Sequence, residues 1–151
     1  MSLLNHFTRY FKKTQHDSDN GNEPLTLFVE GRVQELTLHA ILNKVLSARL
    51  RLTNYISGSQ EALSCEEMGD HIGCELGVWL HSEGKEKYGD LARFPELEVA
   101  HKKYHECAAE IVRLHDSGND HEARRLLVGN FSRAAHDMQE IMAYLYKQAK
   151  K

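Results

Sequence analysis

Proline and cysteine are both scarce in this chain. Its 151 residues include only two prolines and three cysteines. Because proline interrupts helices, its scarcity in a chain rich in leucine, alanine, glutamate, lysine and arginine favours an all-α fold. Three cysteines are too few, and odd in number, for a disulfide framework. We therefore expect reduced thiols and a cytoplasmic location.

Long apolar runs and a dominant charge are also missing. No stretch approaches the ~18 apolar residues that span a bilayer, which predicts no membrane span. The opening residues, MSLLNHFTRYFKK, lack the continuous apolar core of a secretory signal, so we expect no export. The net charge is −3, without a basic stripe of interleaved aromatic residues. Nucleic-acid binding is therefore not expected.

The hydrophobic pattern divides the chain at residue 24. In residues 1–24, apolar side chains at spacings of three and four predict a short amphipathic helix, and a polar linker follows it. We expect this helix to pack on its own domain or on a second copy rather than on a membrane. Residues 25–151 form the second unit, which is long enough for a hydrophobic core.

Residues 25–151 carry four helical patterns. The first two cover Leu25–Ile56 and Met68–His81, the third begins near Pro95, and the last begins near Asp120. The segment SEGKEKYGDLARFPE, between the second and the third, is predicted to be a loop. Gly118 is expected to close the third helix. Mostly short connections between amphipathic helices predict an antiparallel four-helix bundle.

Ten histidines are many for this length, and two of them form a spaced pair. His101 and His105 lie four residues apart, which places both on one face of the third helix, toward the core. The same spacing holds the two metal-binding histidines of zinc metalloprotease helices. Alternatively, each imidazole is a core group bonded to a carbonyl or a carboxylate. Both interpretations stay open from the spacing alone.

Cys74 is the candidate for a third metal ligand. It lies in the stretch GCELGVWL, between Gly73 and Gly77, and we expect these glycines to let its backbone approach a neighbouring helix. Leu76 and Trp79 would supply an apolar wall that excludes water. A thiolate is a soft ligand that selects zinc or copper(I) over harder metals.

Two histidines compete for the fourth position. His39 lies on the first long helix near its apolar stripe, and it is the natural candidate. His71 lies one turn before Cys74 and is an alternative. A set of one cysteine and three histidines would form a tetrahedral zinc site.

Three further histidines and the other two cysteines are weaker candidates. His81 lies seven residues, or about 10 Å along a helix, from Cys74, which is too far for a shared zinc ion. His115 is excluded in the same way as a partner for the histidine pair. His136 is expected to point away from the core. The other two cysteines, Cys65 and Cys107, are interpreted as bystander or packing residues.

Cys74, Leu76, Gly77 and Trp79 together form a Cys-x-Leu-Gly-x-Trp signature, and the His-x-x-x-His pair follows it. With His39 upstream, this pattern resembles the chemoreceptor zinc-binding domain of bacteria. The resemblance extends over roughly residues 25–147. It depends on the cysteine motif and the histidine pair, since the helical pattern alone is not specific.

The resemblance implies a fold, a ligand set and partners. In that family a helical bundle binds zinc through three histidines and one cysteine, here His39, Cys74, His101 and His105. The domain is usually attached to chemotaxis receptors or diguanylate cyclases and often forms homodimers. The resemblance thus implies a non-catalytic sensor of zinc level or thiol oxidation. Its expected partners are a second copy and a signalling protein of a chemoreceptor or cyclic-di-GMP pathway.

Three other functions would need different residues or a different metal content. A di-iron or hemerythrin-like bundle needs several carboxylates, often in two Glu-x-x-His motifs, and the chain supplies one, Glu98 with His101. A zinc hydrolase of the H-E-x-x-H type needs a glutamate within the histidine pair, where Lys102, Lys103 and Tyr104 stand instead. Catalysis is therefore not expected. A helical adaptor with hydrogen-bonded core histidines would bind no metal, so metal content distinguishes it.

Overall fold

The structure is a computed structural model that describes residues 30–149, except for the side chains of residues 30–39, 41, 42 and 45. The predicted helix and linker at residues 1–24 lie outside the described residues. The division at residue 24 therefore stays a prediction. The chain separates into two compact units, Met1–Val33 and Gln34–Lys151, and the core and the candidate site belong to the second.

The part of the chain that the structure describes contains helices and no strand, which confirms the all-α prediction. None of its helices is both apolar enough and long enough to cross a bilayer. A π-helical turn, Leu127–Phe131, joins the last two helices. In chain order the helices are α1 (Glu30–Ile56), α2 (Cys65–Gly69), α3 (Glu75–Leu80), α4 (Glu83–Tyr88), α5 (Phe94–Asp116), α6 (Asp120–Leu126) and α7 (Ser132–Ala149).

The second predicted helix, Met68–His81, is wrong as a continuous element. The structure divides it into α2 and α3, with a turn over residues 70–73 between them. The side chain of Asp70 stabilises this turn, because its Oδ1 atom accepts a hydrogen bond of 2.8 Å from the backbone N–H of Gly73. An aspartate whose side chain accepts a hydrogen bond from a nearby backbone N–H favours a turn over a helix.

The loop predicted over residues 82–96 is also corrected, because it contains the short helix α4 and the start of α5. Tyr88, the last residue of α4, is buried, and its ring centroid lies 5.6 Å from that of Trp79. Short helices are stabilised mainly by tertiary packing, which a local pattern does not reveal.

The antiparallel four-helix arrangement stays a prediction, while the all-α class is established.

The long helix α5 lies at the centre of the described fold and contacts α2, α6, α7 and the π-helical turn. It runs from Phe94 to Asp116, and Gly118 follows with a positive φ of 78°. This confirms the prediction that Gly118 closes the helix. The rings of Tyr104 and Phe131 pack at 4.6 Å between centroids. Fully buried core residues on α1, α5 and α7 include Leu52, Leu97, Ile111, Val112, Met138 and Leu145.

The ends of α1, α5 and α6 meet through four side chains that we name the helix-end cluster: Tyr55, His115, Asp116 and Asp120. The Tyr55 hydroxyl donates a hydrogen bond to Asp116 Oδ1 at 2.5 Å. His115 Nδ1 lies 2.7 Å from Asp120 Oδ1, and its ring packs edge-on against that of Tyr55 at 4.7 Å. These contacts fix the end of α1 at the C-terminal end of α5.

Candidate metal site

The structure brings together three of the four predicted ligands. The donor atoms of Cys74, His101 and His105 all lie within 4.8 Å of one another. Cys74 Sγ is 3.1 Å from His101 Nε2. Among the described residues, this is the group of histidine, cysteine and carboxylate side chains that is compact enough to hold a metal ion.

The histidine pair converges because α5 places both imidazoles on one face. His101 lies on the buried stripe of α5 and is only 2% exposed. The ring of His105 is perpendicular to that of His101, with 4.7 Å between the two centroids. Neighbouring side chains at i and i+4 reach such a distance without any distortion of the helix.

A backbone carbonyl of α2 orients His105. The Nδ1 atom of His105 lies 2.7 Å from the carbonyl oxygen of Met68. A carbonyl only accepts hydrogen bonds, so Nδ1 carries the proton and Nε2 keeps a lone pair for a metal. No sequence signal points to Met68, because every residue has a carbonyl and only the packing of α2 on α5 selects this one.

Cys74 is placed by the start of α3, where it is the N-cap residue. Its sulfur accepts a hydrogen bond of 3.3 Å from the backbone N–H of Gly77. Burial raises the pKa of the Cys74 thiol, although the N–H groups of Gly77 and Leu76 act in the opposite direction. The thiol therefore has to lose its proton when a metal binds.

Both imidazoles are held in the neutral form. Burial lowers the pKa of His101 to about 3, and nearby imidazoles, first among them His105, act in the same direction. Burial also lowers the pKa of His105, although the carbonyl of Met68 partly offsets this effect. Neutral imidazole is the form that binds metals, so the protein environment favours the binding form of both groups.

The two glycines beside Cys74 serve a different purpose from the one expected. A Cβ atom at Gly77 would lie 2.0 Å from the carbonyl oxygen of His71, and one at Gly73 would lie 2.3 Å from Asp70 Oδ2. Their nearest neighbours belong to the turn and not to α5. The glycines therefore let the turn fold tightly onto the start of α3, which sets the position of Cys74.

Trp79 of α3 packs in an aromatic cluster with residues of α4 and α5. Its ring centroid lies 5.6 Å from that of Tyr88 and 6.5 Å from that of Phe94. A Cβ atom at Gly84 would lie 2.6 Å from the Trp79 ring, so only glycine fits there without a shift. These contacts hold α3 and α4 against the start of α5. Cys74 itself is partly buried and packs against the core.

Of the two candidates for the fourth ligand, the structure describes the side chain of His71 but not that of His39. His39 lies in α1, but its side chain is outside the described part, so its role as a ligand stays a prediction. His71 lies in the turn over residues 70–73, is half-buried, and has its ring centroid 6.4 Å from that of His101. His71 is therefore near the three donors without belonging to their group.

The histidines that geometry excluded have other partners or lie at the surface. His81 is exposed, and its Nδ1 atom lies 2.8 Å from the carbonyl oxygen of Gly77. His115 belongs to the helix-end cluster, and His136 is exposed on α7. Neither of the other cysteines joins the group of donors: Cys107 is buried, and Cys65 is half-buried.

The donor set is one sulfur and two nitrogens, without a carboxylate among the described residues that form it. Glu98, which completes the Glu-x-x-His motif of the di-iron alternative, has its Oε1 atom 4.0 Å from His81 Nε2. Di-iron sites in helical bundles are built mainly from carboxylates. A thiolate with imidazoles is typical of zinc, so the residues present fit zinc.

Comparison with known protein families gives one match. Residues 49–112 match the family described as the chemoreceptor zinc-binding domain. This range contains Cys74 and the histidine pair, which confirms the resemblance, but it is narrower than residues 25–147 and does not reach His39. Neither the curated proteins nor the solved structures gave a match.

Proposed function

We propose, from the premise that this chain belongs over residues 49–112 to the chemoreceptor zinc-binding domain family, that it is a non-catalytic regulatory protein that binds one zinc ion. The proposed ligands are His39, Cys74, His101 and His105. The observation that carries the proposal is the convergence of three of these donors within 4.8 Å.

The distances in the site suit zinc. Bond lengths of about 2.3 Å to sulfur and about 2.0 Å to nitrogen, at a tetrahedral angle, separate sulfur and nitrogen by about 3.5 Å. Cys74 Sγ and His101 Nε2 lie 3.1 Å apart, so zinc would require only a small outward shift. Two imidazole ligands would have centroids about 5 Å apart, close to the 4.7 Å between His101 and His105.

Regulation follows from where the ligands lie in the fold. Zinc would supply the positive charge that holds a deprotonated Cys74 against two neutral imidazoles and would tie α3 to α5. With His39 as the fourth ligand, α1 joins them. The packing of these helices would then depend on the zinc level, because zinc-binding free energy contributes directly to folding.

Thiol oxidation is a second input that the same site can read. A peroxide oxidises the Cys74 thiolate to a sulfenic acid: a sulfur–oxygen bond forms, the O–O bond breaks, and hydroxide leaves. The product is no longer a thiolate, so the site would release zinc. The partly buried position of Cys74 leaves it within reach of a small oxidant.

No step of catalysis is proposed. Four protein ligands close a tetrahedral site and leave no position for a reactive water.

The proposed partners are a second copy of the chain and a signalling protein of a chemoreceptor or cyclic-di-GMP pathway, in a reducing cytoplasm. The family match supports this proposal. A pulldown with and without residues 1–24 tests docking through the N-terminal segment, and binding that survives the truncation assigns docking to another surface.

Metal analysis tests the zinc site. Protein purified without added metal is expected to contain about one zinc per chain, and the Cys74→Ala variant is expected to lose most of it. Cys65→Ala is the matched control, because Cys65 is a free, half-buried cysteine outside the donor group. Unchanged zinc in Cys74→Ala would contradict the assignment. Bound iron with a visible absorption band would instead support the di-iron alternative.

A further inference from the structure

His71 lies close to the three donors but outside their group. It precedes Cys74 by three residues, and its half-buried ring lies 6.4 Å from that of His101, at 71° between the ring planes. The imidazole of His71 therefore borders the donor group from the turn that precedes α3.

The imidazole of His71 is not engaged by hydrogen bonds within the described part of the chain. Three other histidine side chains each have such a partner there: His81 the carbonyl of Gly77, His105 the carbonyl of Met68, and His115 a carboxylate. The ring of His71 makes an edge contact with His101 instead. A half-buried imidazole in this state has a nitrogen lone pair available to a metal.

The distance from His71 to the site can be closed by its side chain alone. Two imidazoles on one tetrahedral zinc have centroids about 5 Å apart, whereas His71 and His101 are 6.4 Å apart. The backbone is fixed, because the His71 carbonyl packs against Gly77 and its N–H donates to the Gly69 carbonyl at 2.9 Å. A change of side-chain rotamer moves an imidazole by more than the ångström or so that is missing.

We propose that His71 is an exchange ligand that takes the fourth zinc position when His39 leaves it. The inference rests on the proposed zinc site and adds a second way to complete it. With His71 bound, all four donors come from residues 71–105, which lie inside the matched range of residues 49–112. Zinc is then retained while α1 is released, so release of the helix does not require loss of the metal.

Paired substitutions test the exchange. Zinc affinity is measured by competition with a chromogenic chelator, and coordination is measured by the visible absorption of bound cobalt(II), which is strong for four-coordinate sites. His71→Ala alone is expected to change affinity by no more than about threefold. In the His39→Ala background, His71→Ala is expected to lower affinity by a further 10- to 100-fold or so and to weaken the cobalt bands.

His136→Ala is the matched control, because this histidine is exposed on α7 and far along the chain from the donors. The pair His39→Ala/His136→Ala is expected to behave as His39→Ala alone. The exchange is overturned if removal of His71 has no effect in the His39→Ala background while wild-type protein binds zinc through Cys74. A wild type that binds no zinc overturns the proposed function itself.

Helical content by circular dichroism accompanies each measurement. Should the double alanine variant lose helix, the comparison is repeated with asparagine at both positions, which keeps a polar side chain of similar size. Loss of affinity with intact helices supports the exchange. Equal affinities of His39→Asn and His39→Asn/His71→Asn overturn it.

Discussion

Helix α5 carries histidines in two different settings, three turns apart. The upstream pair, His101 and His105, faces a thiol and a backbone carbonyl and forms a donor group without a carboxylate. The downstream His115 lies 2.7 Å from the carboxylate of Asp120, in the helix-end cluster. One residue type on one helix thus has two roles, and the neighbouring elements decide which.

The difference is electrostatic. A carboxylate is a favourable partner for a protonated imidazole, and Asp120 supplies one beside His115. Burial disfavours the charged form of His101 and His105 and lowers the pKa of both, and the carboxylate of Asp70 offsets this effect only in part at His105. A metal ion brings its own positive charge to neutral donors, so the upstream setting suits zinc and the downstream setting suits an ion pair.

The largest expected effect distinguishes the two settings by zinc affinity. Structural zinc sites have apparent binding free energies of about 10–16 kcal/mol, so one ligand in four accounts for roughly 100- to 1,000-fold in affinity. His105→Ala is expected to lose this much, whereas His115→Ala is expected to stay within about twofold of wild type. Chelator competition measures both. Equal losses in the two variants would remove the distinction between the settings.

The next effect concerns the turn that supports the upstream setting. Gly77→Ala places a Cβ atom 2.0 Å from the His71 carbonyl, and overpacking against backbone costs about 3 kcal/mol. Thermal or chemical unfolding measures the loss. Gly129→Ala is the matched control, because a Cβ atom there meets nothing within 4 Å. A Gly77→Ala variant as stable as wild type would show that the turn adapts freely.

The pH dependence of zinc-depleted protein separates the two settings further. His101 has a pKa lowered to about 3, against about 6.5 in the unfolded chain. The unfolded chain therefore binds the proton first, and stability present above pH 6.5 is lost as the pH falls toward 3. At pH 5 the loss is about 2 kcal/mol. The His101→Gln variant is expected to lack this loss of stability, whereas the His115→Gln variant is expected to keep it. Urea unfolding at pH 5 and pH 8 measures the difference. Identical pH profiles in all three proteins would contradict the lowered pKa.

The smallest expected effect lies in the helix-end cluster. Asp120 and His115 form a partly exposed pair, with side-chain exposures of 50% and 24%. Such pairs contribute about 0.2–1 kcal/mol, so Asp120→Ala is expected to lower the unfolding free energy by less than about 1 kcal/mol and to leave zinc affinity unchanged. Asp137→Ala, at an exposed position of α7, is the control. A change in zinc affinity with Asp120→Ala would mean that the two settings are coupled.

The features that depend on regular helices were predictable. The apolar stripe of α5 predicts that His101 and His105 lie together on its inward face, because positions four apart share a face in any helix. The turn at residues 70–73 was missed, although Asp70 and Gly73 are turn-forming residues, because the apolar pattern of Met68–His81 continues across it. Helix α4 was missed because the burial of Tyr88 against Trp79, and not local propensity, stabilises it.

The sequence by itself determined the chemistry of the donors and the spacing of the histidine pair, since both are local properties of residue type and helix geometry. Only the tertiary structure decided that Cys74 meets His101 across 27 residues, and that the carbonyl of Met68 turns His105 toward the site. It also decided which histidines are neutral and which face a carboxylate. Burial and charge proximity depend on the neighbours that packing supplies, and these neighbours are distant in the chain.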